Sequence, residues 1–541
     1  MMTMGKAKGL PVRNKMHQAA ISLACMAALG AVSLLLTSCS SNTLTPTVSP
    51  DVSALAPYQT TETARVTGQT DSYTGETLPN PNQTQPKYGL NETDIGTMWP
   101  DQSGNMLFAF GDNFNTSSTS CAVRTNWSSN GLAKSTDKAL NGGLHFSSVL
   151  SSNGQMTEII HKEGLDVTEI PTAGINVGSR QYINFQAIKQ FNVNNDADQW
   201  TDWYSEIAYS DDGGTTWTKS GTIWGGGSNF NQVAYLKGSG TTVYVFGTPS
   251  GRHGSVHLAK VDSGSLLNYG AYQYWTGTGW VAGNDSAAVA ITQGGAGEMS
   301  VIYNTYFNRY IMAYLSVDRR AIVMRDASDP TGDWSNEKVL LEDSGNGIYA
   351  PMMHPWFTSG ADVNFLVSQA VGIQQPSCNN NFVTNIFLYH SNLQGTTFNL
   401  VSNPGFEDFP GAALNYKSHW TGSGFLTSDS HSGQSAAELD NFVGGQFQDD
   451  VAQNVAVKPN TNYTLTAWVK INLPNYPAVY FGVRGAGGIQ QIQPSVSSNG
   501  WTQLTLKFNS GADTQEQVFF GTFGSYGLVL KADDFQLAPT Q

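Results

Sequence analysis

Between residues 87 and 396 the chain repeats one pattern: a short aromatic run, a polar turn, then a second run ending in small or polar residues. The first runs are Met106–Phe110, Gln181–Ala187, Thr242–Phe246, Arg309–Leu315 and Asp362–Val367. Their partners are Leu144–Leu150, Tyr204–Ser210, Ser255–Val261, Arg320–Arg325 and Asn385–Ser391. Short runs rich in β-branched and aromatic residues, bounded by Gly, Asp and Asn, read as strands. No helical periodicity of useful length interrupts them. Five such units at spacings of roughly 50–75 residues predict an all-β, five-bladed β-propeller, with four-stranded blades around a central axis. At about residue 397 the pattern becomes alternating, as in Tyr463-Thr464-Leu465-Thr466-Ala467-Trp468-Val469. Alternation predicts half-buried strands, here of a second all-β domain over 397–541.

Composition narrows the setting. Charged residues are only 13% of the chain, and Gly is 57 of 541 residues. That excludes a coiled coil, a helical solenoid and a charge-rich disordered chain. The net charge of −14 argues against nucleic acid or an anionic membrane surface as partner.

The N-terminus reads as an address. Lys6, Lys8, Arg13 and Lys15 precede an apolar run from Ala19 to Leu36, which ends Leu36-Thr37-Ser38-Cys39. A basic segment, an apolar segment and small residues at the cut make residues 1–38 a signal peptide. The ending resembles a bacterial lipobox, which implies that Cys39 is lipidated and becomes the new N-terminus. The competing reading is an ordinary signal with an incidental cysteine. Cleavage takes the formal charge from −14 to −18, because residues 1–38 hold four basic groups and no acid. Residues 39–86 are rich in Ser, Thr, Pro, Asn and Gln and predict a flexible tether. The expected location is therefore outside the cytoplasm, anchored to the cell envelope by lipid alone, with a monomer expected. Cys121 and Cys378 then remain as a candidate disulfide in an oxidising compartment, or as two buried thiols. No Cys/His spacing or His-Glu-x-x-His pattern suggests zinc, and no cofactor is expected for catalysis.

Local motifs add detail. Ser210-Asp211-Asp212-Gly213-Gly214-Thr215-Thr216-Trp217 resembles the Asp-box of sialidase-like propellers, a hairpin turn whose Asp bonds turn amides. It marks architecture and says nothing of chemistry. Leu400-Val401-Ser402-Asn403-Pro404-Gly405-Phe406-Glu407 and the closing Lys531-Ala532-Asp533-Asp534-Phe535-Gln536-Leu537 resemble jelly-roll carbohydrate-binding modules of the 4/9/22 type. That resemblance implies a β-sandwich in which Glu407 and Asp534 hold a structural calcium ion, whose hard oxygen ligands they would supply. An acid pair without an ion is the alternative.

Three acids stand where inner strands would line the propeller funnel. Asp94 sits among strand formers in Asn91-Glu92-Thr93-Asp94-Ile95-Gly96, Asp112 ends a second strand beside Gly111, and Glu298 opens the fourth unit. Glycosidic hydrolysis needs one protonated acid at the leaving oxygen and a second carboxylate to activate water or attack carbon. Each acid taken singly also fits a turn cap or a bond to backbone amides.

The ordered set of motifs resembles one bacterial family. It comprises Thr93-Asp94-Ile95-Gly96, Phe110-Gly111-Asp112, the Asp-box, Val245-Phe246-Gly247-Thr248-Pro249-Ser250-Gly251-Arg252, and Tyr274-Trp275 with Gly279-Trp280. Glu298-Met299-Ser300-Val301, Asp329-Pro330-Thr331-Gly332-Asp333-Trp334 and Tyr349-Ala350-Pro351-Met352 continue it. The family is domain of unknown function 4185, grouped as glycoside hydrolase family 183, endo-acting D-arabinanases. The resemblance covers about residues 87–396 and implies cleavage of α-linked D-arabinofuranose chains such as those of arabinogalactan and lipoarabinomannan. By analogy with related arabinanase propellers, Asp94 is the base and Glu298 the acid, with Asp112 orienting or tuning a neighbour. Arg252 matches the family's Gly-Arg and is a candidate for binding sugar hydroxyls, or for a salt bridge. Asn231, Gln232 and His354 fall on expected inner strands, either as further hydroxyl ligands or as plain backbone-bonding residues, and Trp99 and Trp356 either as stacking surfaces or as core. Trp203-Tyr204-Ser205-Glu206 departs from the family's polar pattern, so Glu206 is either a fourth funnel acid or solvent-facing. The alternatives are a non-catalytic carbohydrate-binding surface lipoprotein and a propeller glycosidase acting on another polymer such as L-arabinan. A sialidase is disfavoured by the scarcity of Arg near the inner strands.

Overall fold

The conspicuous apolar runs turn out to be second strands, each preceded by a less conspicuous inner strand. In the computed structural model the inner strands are Glu92–Pro100, Glu169–Val177, Gln232–Lys237, Met299–Asn304 and Tyr349–Met353. The model describes residues 54–69, 77–116, 124–372, 382–396, 399–407, 420–422, 424–440, 448–473, 478–494, 500–523 and 528–540. The signal segment, Cys39, Cys121 and Cys378 lie outside the described residues.

Among the described residues each inner strand begins one antiparallel sheet of four or five strands, five sheets in all. The inner strands adjoin one another in chain order, and Tyr349–Met353 returns to Glu92–Pro100, which closes the ring. The cores lie between successive sheets. Phe108 and Phe110 of the first pack with Leu366 and Ile386 of the fifth. Leu107 and Trp99 pack with Ile183 and Phe185 of the second. Each buried Phe contributes on the order of 2–3 kcal/mol, so sheet-to-sheet contact is the main source of cohesion.

Two expectations change here. The third strand of the first sheet is Arg124–Ser135, not Leu144–Leu150, which supplies only the short outer strand Ser148–Val149. Its first half, Arg124-Thr125-Asn126-Trp127, is polar and exposed, so it carries no apolar signal. The tether also shortens. Ala54–Arg65 is the outermost strand of the fifth sheet, antiparallel to Phe382–Thr396. Its middle is polar because it is an outer edge, while Leu55, Ala64 and Arg65 at its ends are buried. The Leu55 amide also donates to Asp326 Oδ1 at 3.0 Å. A segment from before the first sheet thus completes the last one.

The Asp-box forms as a turn. Asp212 accepts from the Thr215 and Thr216 amides, the Thr216 hydroxyl and the Ser210 hydroxyl. Desolvation opposes its ionisation, but these donors outweigh it and hold the carboxyl at about 2.

Among the described residues the C-terminal domain has two five-stranded sheets. In Asn462–Ile471 the alternation sends Tyr463, Leu465, Ala467 and Val469 inward. They share one core with Phe481, Val483, Val518 and Phe520 of the facing sheet, which makes the domain a β-sandwich.

Candidate functional site

One cavity of about 200 Å³ takes lining residues from all five sheets, among them Asp94, Thr172, Gln232, Glu298 and Tyr349. Asp112 and Arg252 complete its polar wall.

Asp94 lies on Glu92–Pro100 opposite Gly111. A Cβ at position 111 would stand 2.6 Å from Asp94 Oδ1, so only glycine leaves room for this carboxyl. The Tyr349 hydroxyl donates to Asp94 Oδ2 at 3.2 Å, and Oδ1 is buried with no partner among the described residues. Burial, then the charges of Asp112 and Glu298, raise Asp94 from 3.8 to about 7, against the pull of Tyr349 and Arg252. Burial and Asp94 push the Tyr349 phenol well above its ordinary value, which keeps it a donor.

Asp112 has φ 28, and the pairing register slips beside it between Glu92 and Asp94. This bulge takes Asp112 out of regular strand geometry at the cavity wall. Its Oδ1 accepts from Thr168 Oγ1 at 2.7 Å and Trp127 Nε1 at 3.0 Å. Burial raises its pKa against those two donors.

Glu298 immediately precedes the inner strand Met299–Asn304. Arg252 donates to it from Nη2 at 2.7 Å and from Nε at 3.2 Å. The other arm of the guanidinium reaches Asp198 Oδ1 at 2.7 Å. The rings of Trp200 and Tyr349 lie 5.4 and 5.1 Å from Arg252 Cζ. Of its two expected roles, sugar binding or a salt bridge, the guanidinium here makes the second, with two carboxylates. Gln232 lines the cavity as expected, its amide nitrogen bound to Gly251 O at 2.7 Å and its Oε1 unpartnered among the described residues.

Five expected site residues lie elsewhere. Asn231, just before the inner strand Gln232–Lys237, is not a lining residue; its amide nitrogen donates to Gly226 O and Ser250 Oγ. Trp99 is core, with its indole N–H on Gln181 Oε1 at 2.9 Å and its ring edge-on to Trp217. His354 is buried against Phe108, Trp356 and Phe357, and burial lowers it to about 4, so it stays neutral. Trp356 packs there too, on the first-to-fifth sheet core. Glu206 accepts from the Gly221 amide at 2.7 Å beside a register slip in its own sheet, where it holds a bulge and is neither a funnel acid nor solvent-facing.

Tyr349, Trp200 and Asp198 are site residues that the pattern of apolar and polar positions did not single out. Tyr349 had a signal in Tyr349-Ala350-Pro351-Met352. Ala350 has φ 51, and the register slips between Tyr349 and Met352, a strained local path that a sequence pattern does not display.

In the sandwich, Glu407 and Asp534 both approach Gly405. Glu407 accepts from the Gln434 and Ser435 amides, and Asp534 from Ser432 Oγ at 2.7 Å, with His431 Nδ1 at 2.7 Å from its other oxygen. Gly433, at φ +63, leaves space that the Glu407 carboxylate fills. The segment 431–435 thus supplies the donors that satisfy these acids. Among the described residues no group of three or more His, Cys, Asp or Glu is placed to hold a metal. Protein donors thus satisfy both acids of the expected calcium pair in this structure.

Residues 398–525 match the carbohydrate binding domain family, so the C-terminal domain is a carbohydrate-binding domain. Exochitinase 1 of Streptomyces olivaceoviridis is 32% identical over 139 residues, 26% of this chain and 21% of that protein. Notoamide biosynthesis cluster protein J of Aspergillus sp. (strain MF297-2) is 30% identical over 306 residues, 52% of this chain and 80% of that protein. A solved glycoside hydrolase family 43 arabinoxylan arabinofuranohydrolase from Bacillus subtilis aligns at 12% identity and TM-score 0.35, over 87% of this chain and 99% of that one. At that score it adds no argument about the site. Residues 79–372, more than half the chain, match the family described as Domain of unknown function (DUF4185), and the chain belongs to that family.

Proposed function

We propose that the chain is a glycoside hydrolase that cleaves within a polysaccharide at the propeller cavity, with α-D-arabinofuranosyl linkages of D-arabinan as its substrate. The observation that carries this reading is the convergence of Asp94, Asp112 and Glu298 on one cavity, with Asp94 raised to about 7. The resemblance to endo-D-arabinanases supports the choice of polymer.

The environments favour a division of roles opposite to the one expected by analogy. A general acid must hold its proton near neutral pH. Buried Asp94 does so, which suits it to protonate the leaving glycosidic oxygen. Glu298, paired with Arg252, suits the carboxylate that activates water or attacks the anomeric carbon. Asp112, tied to Thr168 and Trp127, adds negative charge that keeps Asp94 protonated. The carbohydrate-binding domain adds effective concentration on the polymer and no chemistry. A lipid on Cys39 would hold the protein at the cell envelope.

The test incubates the protein with D-arabinan-bearing arabinogalactan and, in parallel, plant L-arabinan, and sizes the released sugars. Oligosaccharides from the D-polymer alone support the reading. Release from L-arabinan alone overturns the substrate, and binding without release favours a non-catalytic carbohydrate-binding lipoprotein.

A further inference from the structure

We propose that Trp127 is a stacking platform for a sugar residue of the polymer next to the cleavage cavity, and that it sets the preference for long chains over short fragments. This rests on the reading of the cavity as a polysaccharide-cleaving site.

Trp127 is 41% exposed, whereas Trp99 and Trp224 are almost fully buried. Its indole N–H donates to Asp112 Oδ1 at 3.0 Å, so the ring is fixed beside a cavity acid. The backbone is built to present it. Asn113 pairs with Ser128 and Asn115 with Thr125, so Asn126 and Trp127 together oppose Phe114 alone. Asn126 takes the left-handed conformation at φ 51. Such bulges re-aim side chains next to active sites. Lys162 Nζ lies over the ring at 5.6 Å from its centroid, a cation–π contact that helps hold the indole in place. An exposed indole wedged by its own N–H suits the apolar C–H face of a neutral sugar. The same indole tunes Asp112, so binding and acid–base chemistry meet in one side chain.

The test compares the full-length protein with Trp127→Ala and Trp127→Phe. Substrates are D-arabinan and an arabinofuranosyl oligosaccharide too short to span beyond the cavity. Both variants lose the N–H to Asp112, so both move the pH profile, but only Trp127→Ala loses the ring. The expected result is that the ratio of kcat/KM on polymer to kcat/KM on oligosaccharide falls about tenfold in Trp127→Ala and stays within about threefold of wild type in Trp127→Phe. An unchanged ratio in Trp127→Ala overturns the proposal. If the wild type cleaves neither substrate, the functional reading fails, and polymer titration followed by intrinsic fluorescence decides the platform by itself. Affinity about tenfold weaker in Trp127→Ala, with Trp127→Phe near wild type, upholds it. Equal affinity in all three overturns it.

Discussion

The Tyr349 hydroxyl donates to Asp94 at 3.2 Å, joining the inner strand of the last sheet to that of the first across the seam where the ring closes. This bond favours the ionised carboxyl and so opposes the burial that raises Asp94. Tyr349→Phe removes it. With Asp94 as the acid, the alkaline limb of the kcat/KM profile moves to higher pH. Lost positioning lowers the maximum about tenfold, equivalent to ~1.4 kcal/mol. An unmoved alkaline limb contradicts this account of Asp94.

Arg252→Gln acts on the same group by another route. Arg252 lowers Asp94 and holds Glu298 and Asp198. Without the guanidinium two carboxylates lose their partner beside a third, at a cost below the ~3–5 kcal/mol of a fully buried pair because all three side chains keep some exposure. The expected outcome is a loss of at least two orders of magnitude in kcat/KM, a lower melting temperature and an alkaline limb moved up in residual activity. Arg252→Lys restores little, because an ammonium cannot fork between Glu298 and Asp198. Full activity in the lysine variant would refute the bridging role.

Asp94 also destabilises the fold at neutral pH. Its folded value is about 7 against an ordinary 3.8. Between those values the native state keeps a proton that the unfolded chain has released, so stability falls as pH rises through that window. Above about 7 the penalty is complete, on the order of 4 kcal/mol. Asp94→Asn removes this dependence. The variant should melt near the wild-type temperature at pH 4 and several degrees above it at pH 7.5, while losing activity. A difference in melting temperature that does not grow with pH would sink the burial argument.

Chelation tests the sandwich. Glu407 and Asp534 already accept donors from residues 431–435. EDTA should leave the melting temperature of the full chain within about 1 °C of its value in millimolar calcium, as expected when no site binds the folded state selectively. A rise of several degrees with calcium would restore the ion site.

The second strands were legible because they are buried on both faces and read as dense aromatic runs, as Met106–Phe110 does. The inner strands were less conspicuous and were marked by polar residues among strand formers, as at Asp94, Gln232 and Glu298. Ala54–Arg65 looked like tether because an outer strand needs buried side chains only at its ends. Asp94, Asp112 and Glu298 do share one cavity, since each stands at or beside an inner strand. Asn231, Trp99, His354 and Glu206 were misplaced because strand alternation and bulges, which decide the face a residue occupies, depend on register and not on residue type. Trp127 escaped notice because its strand is polar.

The most direct test of the central claim measures oligosaccharide release from D-arabinan by the wild type, Asp94→Asn and Glu298→Gln, with circular dichroism to verify folding. The account predicts release by the wild type and a loss of at least a thousandfold in each folded variant. Undiminished release by either variant would contradict it.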